Sequence, residues 1–237
     1  MERIVILTGA GLSAESGLGT FRDKDGLWTR YDLNDVATPE GFARNPALVH
    51  EFYNARRANC LAASPNPAHH ALARLQRAAP DSVCLVTQNV DDLLERAGAA
   101  DVVHMHGQLT RALCADCGHR WDAPQVMDPS APCPACARPA TRPDIVWFGE
   151  YPYYMDRIEH ALIQADMFVA IGTSGNVYPA AGFVQQAAAA GAATLELNLE
   201  ASTTAGLFED RRLGPASQIV PAWVDEVLAG KHGRQGK

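Results

Sequence analysis

The sequence contains no apolar run that reaches the roughly eighteen residues a membrane-crossing helix needs. It also shows no basic, apolar and small-residue succession of the kind removed on export, so the expected setting is the cytoplasm, away from membranes. Basic residues are in the minority, 20 Lys plus Arg against 27 Asp plus Glu, for a net charge of −7. That balance argues against a nucleic-acid surface and is compatible with lysine-rich substrates. Internal repeats and low-complexity tracts are missing as well. Cysteine is sparse, six in 237 residues, and four of the six fall in two Cys-x-x-Cys pairs. Without an export signal, metal binding explains those pairs better than disulfides. The length suffices for a substantial core, either one large domain or a domain carrying an insertion.

What is present begins with the apolar run Ile4 to Leu7, which leads into Thr-Gly-Ala-Gly-Leu-Ser-Ala-Glu-Ser-Gly-Leu-Gly-Thr-Phe-Arg at 8–22. A buried strand feeding a Gly-rich turn and a helix is how a doubly wound fold offers backbone N–H groups to a pyrophosphate. Gly9, Gly11 and Ala14 fit G-x-G-x-x-G/A, with Ala10 between the glycines and Ala14 expected where helix meets strand. A strand-to-helix turn that merely needs small residues accounts for this pattern about as well. Ser13 and Ser16 add hydroxyls in the first helical turn, and Phe21 and Arg22 follow where a plain dinucleotide fold would run on to its second strand.

Further along, Thr38-Pro39 and Asn45-Pro46 each read as an N-cap followed by proline at the first helical position, predicting short helices within 23–67. Residues 68–78 return to helical spacing. Val83 to Thr87 reads as a buried strand ending in Gln88-Asn89-Val90-Asp91, and 102–107 ends in His106-Gly107. Polar groups at consecutive strand ends mark where an open α/β sheet binds ligand. A helix cap at Gln88-Asn89 and a satisfied core histidine at 106 are the plainer readings of each alone.

Cys114 and Cys117, fifteen intervening residues, then Cys133 and Cys136 form two knuckles suited to one tetrahedral zinc with no position left for water, hence a structural site. A redox dithiol is the alternative. Cys60 and Cys84 lie in apolar surroundings and read as inert. Residues 144–150 read as a strand. Met167 to Ile171 reads as a buried strand ending in a second Gly/Ser/Thr loop, Gly172-Thr173-Ser174, with a helix expected from Pro179 to Gly191. Ala193 to Leu197 predicts another strand, Gln218 to Val220 the last one, and 221–229 a final helix, before a polar tail at 231–237.

Taken together and in order, the first loop, Gln88-Asn89-Val90-Asp91, His106-Gly107, the four cysteines, Phe148-Gly149-Glu150, Gly172-Thr173-Ser174 and Asn198-Leu199-Glu200 resemble the sirtuin family over nearly the whole chain. The resemblance implies an α/β fold. Its large domain would be a Rossmann-like parallel sheet (1–22, 68–107 and 148–230), with a smaller helical plus zinc-binding domain inserted (23–67 and 108–147). It implies a deacylase that consumes NAD, removes an acyl group from a protein lysine, and releases nicotinamide and O-acyl-ADP-ribose. Catalysis would then fall to His106 as general base, with Asn89 beside it. NAD would be held by Gly9, Ala10, Gly11, Ser13, Ser16, Phe21, Arg22, Gln88, Asn89, Asp91, Gly172, Thr173, Ser174, Asn198, Leu199, Glu200 and Ala216. The acylated lysine, carried on a protein segment bound as an added strand, would meet Val146, Phe148, Gly149, Glu150 and Val177.

Tyr53 and Arg56 are three apart on one predicted helix, which by itself is ordinary for a surface helix, with Arg57 placed for an exposed cation–π contact to Tyr53. Tyr-x-x-Arg here is similar to the signature of sirtuins that accept malonyl- and succinyl-lysine. The resemblance therefore implies that both side chains reach the end of the acyl tunnel. Asp23-Lys24-Asp25 departs from the small residues common at that place. A dehydrogenase would need an acidic residue closing a second strand, and Asp32 and Asp35 sit in helical, loop-rich sequence. A protein ADP-ribosyltransferase is the nearer competitor.

Overall fold

The computed structural model describes residues 2–19 and 31–231. Phe21, Arg22 and the Asp23-Lys24-Asp25 triplet lie outside the described residues. Six parallel strands form the large sheet: β1 (Ile4–Thr8), β2 (Val83–Thr87), β3 (Val102–His104), β7 (Met167–Ile171), β8 (Ala193–Asn198) and β9 (Asp210–Leu213), in the order β3-β2-β1-β7-β8-β9. β1 is central and buried along its whole length, which is why it reads as an unbroken apolar run. Its side chains alternate between two cores. Ile4 and Ile6 face helices α5 (Pro67–Ala78) and α9 (Ala216–Leu228), while Val5 and Leu7 face α7 (Met155–Gln164) and α8 (Phe183–Ala189).

The central strand pairs with β2 on one side and β7 on the other, so the chain reverses its direction of travel across the sheet at β1. The crevice beyond the carboxyl ends of such strands is where this architecture takes ligand.

A second, three-stranded antiparallel sheet, β5-β4-β6, is built from β4 (Gly107–Cys114), β5 (Arg120–Asp122) and β6 (Thr141–Ile145). Helices α2 (Leu33–Val36), α3 (Pro39–Arg44) and α4 (Pro46–Ala62) lie between α1 (Ala10–Ala14) and α5 in the chain; α6 (Leu93–Arg96) precedes β3. The expected caps form. Thr38 accepts from the Gly41 N–H and Asn45 from the Leu48 N–H, each followed by proline. A third core joins Val49, Phe52, Tyr53 and Cys60 of α4 to Leu109, Ile145 and Trp147.

Several expectations need correction. Residues 144–150 are not one strand: β6 ends at Ile145, the Val146 N–H turns to the His106 carbonyl, and a turn brings the Glu150 N–H to the Trp147 carbonyl. Gln218 to Val220 is not the last strand but part of α9, whose buried Val220, Trp223, Val224 and Val227 follow helical spacing around an internal Pro221. The last strand is β9, a largely exposed edge strand. The stretch from Pro179 opens as a 3₁₀ turn before α8. Ala14, expected to pack against the strand, is exposed; Leu12 and Ser13 are the residues that α1 buries.

Candidate active site

The two glycine loops press directly on each other. The Gly9 N–H donates to the Ile171 carbonyl at 2.9 Å and the Gly11 N–H to the Gly172 carbonyl at 2.8 Å. A Cβ on Gly11 would lie 2.7 Å from the Gly172 Cα, and one on Gly172, which has φ +62, would lie 2.4 Å from the Leu12 nitrogen. Glycine is thus required here for the approach of backbone to backbone. These two amides are already committed to that seam.

Beside it lies a directional hydrogen-bond chain. The Asn66 N–H donates to His69 Nδ1 (3.2 Å), so the proton of the neutral ring sits on Nε2, which donates to Ser13 Oγ (3.3 Å). Ser13 donates in turn to Asp91 Oδ2 at 2.9 Å. Burial holds His69 down to about 4, keeping it neutral, and raises Asp91 above the usual carboxylate range against the pull of its Leu93 and Ser13 hydrogen bonds. Asn89 donates to both the Gly9 carbonyl and Ser13 Oγ, each at 3.1 Å. The Ser13 hydroxyl therefore serves Asp91 and Asn89 rather than facing outward as an anion donor. Ser16 accepts from Asn66 Nδ2 at 3.1 Å.

His106 follows β3 and is half-buried. Its Nδ1 meets the Gln88 carbonyl at 3.2 Å; a carbonyl only accepts, so Nδ1 carries the proton and Nε2 keeps its lone pair. Burial lowers its pKa more than the Gln88 contact raises it, so the neutral base predominates at pH 7. Gly107, at φ +81, would place a Cβ 2.1 Å from the Asp144 carbonyl, so only glycine lets the chain pass here from β3 to β4.

On the far side, Gln88 Nε2 donates to Thr173 Oγ1 (3.1 Å), and Asn198 donates to the Thr173 carbonyl (2.8 Å) while accepting from the Leu199 N–H. The Ser174 carbonyl accepts from Thr203. Leu199 and Glu200 are exposed. Ala216 opens α9, whose neighbour Ser217 is capped by the Glu15 carboxylate at the end of α1, which brings Ala216 beside the first loop.

The wall next to His106 is the 146–150 turn. Phe148 and Gly149 are exposed, and Val146 and Val177 are half-buried. The Glu150 side chain is engaged with Arg142 at 2.7 and 2.9 Å, and it accepts from the Trp147 N–H. Behind this turn Tyr53 is buried, and its phenol is raised chiefly by burial. The Arg56 guanidinium lies over the Tyr53 ring at 5.5 Å. Burial lowers its pKa, with the charges of Tyr53 and Asp91 opposing. The cation–π partner of Tyr53 is thus Arg56; Arg57 is buried on another side of the helix. Sequence reading missed His69, Asn66, Arg142 and Trp147. Asn66 had a legible signal, a cap residue before Pro67, and the others had none.

The four cysteine sulfurs all lie within 4.8 Å of one another, with Cys114 to Cys136 at 3.7 Å and Cys117 to Cys133 at 3.8 Å. Four thiolates about 2.3 Å from one tetrahedral centre stand roughly 3.8 Å apart, so the cluster fits a single zinc. Each knuckle closes in a left-handed residue, Gly118 and Ala137.

With that geometry in place, the profile of the Sir2 family matches residues 9–179. The chain belongs to the Sir2 family. Among its relatives, a protein of Caulobacter vibrioides named "NAD-dependent protein deacylase" is 58% identical over 96% of this chain and 97% of its own. "NAD-dependent protein deacylase SIR2rp3" of Leishmania major is 55% identical over 95% of each. Among solved structures, a Sir2 homolog–NAD complex superposes with a TM-score of 0.89 at 37% identity, covering 97% of this Sir2 chain and 90% of the other. Sir2 in complex with 2′-O-acetyl-ADP-ribose and a deacetylated p53 peptide gives 0.80 at 25% identity, covering 97% and 94%.

Proposed function

We propose that this Sir2 protein is an NAD-dependent protein-lysine deacylase that removes acetyl groups and, through Tyr53 and Arg56, succinyl and malonyl groups. The observation that carries the reading is His106: a neutral imidazole whose Nδ1 is pinned to Gln88, leaving Nε2 as a base at the sheet edge that also holds Asn89 and Asp91. The names of relatives more than half identical support the deacylase part of this reading.

NAD supplies a ribose carbon that becomes electrophilic as nicotinamide leaves. The loops at Gly9, Ala10, Gly11 and Ser16 would hold it together with Gln88, Gly172, Thr173 and Ser174. Asn198, Leu199, Glu200 and Ala216 lie toward the adenosine end. Asp91, raised by burial and oriented by Ser13, would bind the carboxamide. Asn89, anchored to Gly9 and Ser13, would position hydroxyls and water. His106 Nε2 would take the proton of the attacking hydroxyl. Val146 and Phe148 would line the lysine stem, with Gly149 and Val177 flanking a substrate segment added as a strand. Glu150 would act indirectly, through Arg142 and Trp147. The discontinuous two-domain division expected from the sequence belongs to this reading, as do the cytoplasmic setting and the proposed partners, acylated proteins rather than nucleic acid or membrane.

Incubation with NAD and acetyl- or succinyl-lysine peptides tests it. Nicotinamide release that requires the acyl group, with O-acyl-ADP-ribose formed, is expected. Labelling of protein by ADP-ribose without loss of acyl groups would replace the deacylase with a transferase. Turnover of acetyl peptide alone would reduce it to a deacetylase.

A further inference from the structure

The buried indole of Trp147 donates from Nε1 to the Tyr53 hydroxyl oxygen at 3.0 Å. We propose that Trp147 is a positioning residue for acyl-chain selection, fixing the Tyr53 hydroxyl so that its proton is presented to the terminal carboxylate of an acidic acyl group. The inference rests on the acidic-acyl reading above and names a residue that acts through Tyr53 rather than touching substrate.

An indole N–H is a donor only, and so is a guanidinium. Among the described residues the polar neighbours of the phenol oxygen are Trp147 and Arg56, both donors, and neither can take its proton. Among the described residues that proton has no acceptor. Burial raises the phenol pKa, so the group stays an O–H donor throughout the neutral range. A carboxylate brought in by a succinyl or malonyl chain is the acceptor that fits, and donation into the phenol oxygen makes its O–H a stronger donor toward that carboxylate.

The indole is itself immobilised. The Arg142 guanidinium lies 3.4 Å from its ring centroid, Phe42 packs at 5.2 Å, and its backbone N–H donates to Glu150 Oε2 at 2.8 Å. Arg142 and Glu150 are joined by two hydrogen bonds of 2.7 and 2.9 Å. The preceding residue, Val146, donates its N–H to the His106 carbonyl at 2.9 Å. One short turn thus holds both the base and the group that orients Tyr53.

Trp147→Phe keeps a ring against Arg142 and deletes the donor. Loss of one neutral hydrogen bond corresponds to roughly a five- to tenfold fall in kcat/KM for succinyl peptide. The fall should appear mainly in KM, with a smaller change for acetyl peptide, so that the succinyl-to-acetyl ratio drops. In a Tyr53→Phe background the same substitution should leave that ratio where Tyr53→Phe alone puts it, which a general structural defect would not do. Should Trp147→Phe fold poorly, benzothienylalanine at position 147, which replaces N–H by sulfur at nearly constant shape, is measured the same way. A ratio unchanged in the variant, or lowered equally in the presence and absence of the Tyr53 hydroxyl, overturns the proposal. Absence of succinyl turnover in the parent overturns the acidic-acyl reading and this inference with it, and it is seen before any variant is compared.

Discussion

Acidification should weaken this protein through His69, and the amount follows from its surroundings. The ring is fully buried, accepts from the Asn66 N–H and donates to Ser13, so a second proton has no acceptor to meet and burial opposes it. Its pKa falls from 6.5 in the unfolded chain to about 4 in the folded one. The group's contribution is therefore complete above the unfolded value and is lost as pH drops from 6.5 toward 4, because the unfolded chain binds the proton first. Between about pH 7.5 and pH 5.5 the linkage integral is about 1.4 kcal/mol. Other groups titrate in the same interval, so the measurement is a difference. Parent and His69→Gln, which keeps an acceptor and a donor in the same place, are unfolded by urea at both pH values with zinc content checked. The parent should lose about 1.4 kcal/mol more than the variant over that interval. Equal losses would refute the buried neutral histidine, and with it the proton order assigned from Asn66 to Asp91.

Four further outcomes are expected. Arg56→Met should cut kcat/KM for succinyl peptide by about 2 to 5 kcal/mol, the usual cost of leaving one charge of a buried pair alone, and deacetylation far less; equal losses remove Arg56 from acyl recognition. His106→Ala should abolish turnover while thermal stability and zinc content persist. In the parent, kcat/KM should decline on the acid side with an apparent pKa below 6.5, the direction burial imposes on His106. Cys133→Ser should lose zinc and several kcal/mol of stability, read by metal analysis and thermal melting; a folded variant with unchanged stability would end the structural assignment of the metal.

How far the sequence could be read depended on where each element lies. β2 and β7 were legible to the residue because strands buried on both faces must be apolar throughout. β9, Asp-Arg-Arg-Leu, sits at the sheet edge with most of its side chains exposed, and nothing in its composition marks it as a strand. The stretch 218–220 misled for the opposite reason. Ile219 and Val220 before a proline imitate a strand end, and only the wider spacing of Val220, Trp223, Val224 and Val227 reveals the helix. The zinc ligands could be read because their constraint is local, two residues between thiolates. The Trp147 to Tyr53 bond joins residues 94 apart, and the chain from Asn66 to Asp91 links three separate segments. Such contacts are properties of the packed fold, and no short pattern encodes them.

Neighbouring arginines show what the fold adds to a spacing argument. Arg56 and Arg57 differ by one position, about 100° around the helix, and the sequence alone gave Arg57 an exposed role. The structure buries Arg57 instead. Its Nε donates to the Leu109 carbonyl at 2.6 Å, and its Nη1 to Asn54 at 2.8 Å and to the Gln125 carbonyl at 3.4 Å. Asn54 in turn exchanges two hydrogen bonds with the Met127 backbone. Among the described residues Arg57 makes no salt bridge, so its charge is met by carbonyl dipoles from β4 and from the segment between the two cysteine knuckles. A buried cation is tolerated only where its donors are satisfied, which makes this a demanding and therefore specific contact. With Arg57 held against the sheet that carries the cysteine cluster, α4 cannot rotate without leaving donors unmet, and Arg56 one residue earlier stays over the Tyr53 ring. The position of Arg56 beside Tyr53 is in this way set from behind, by the hydrogen bonds of its neighbour Arg57.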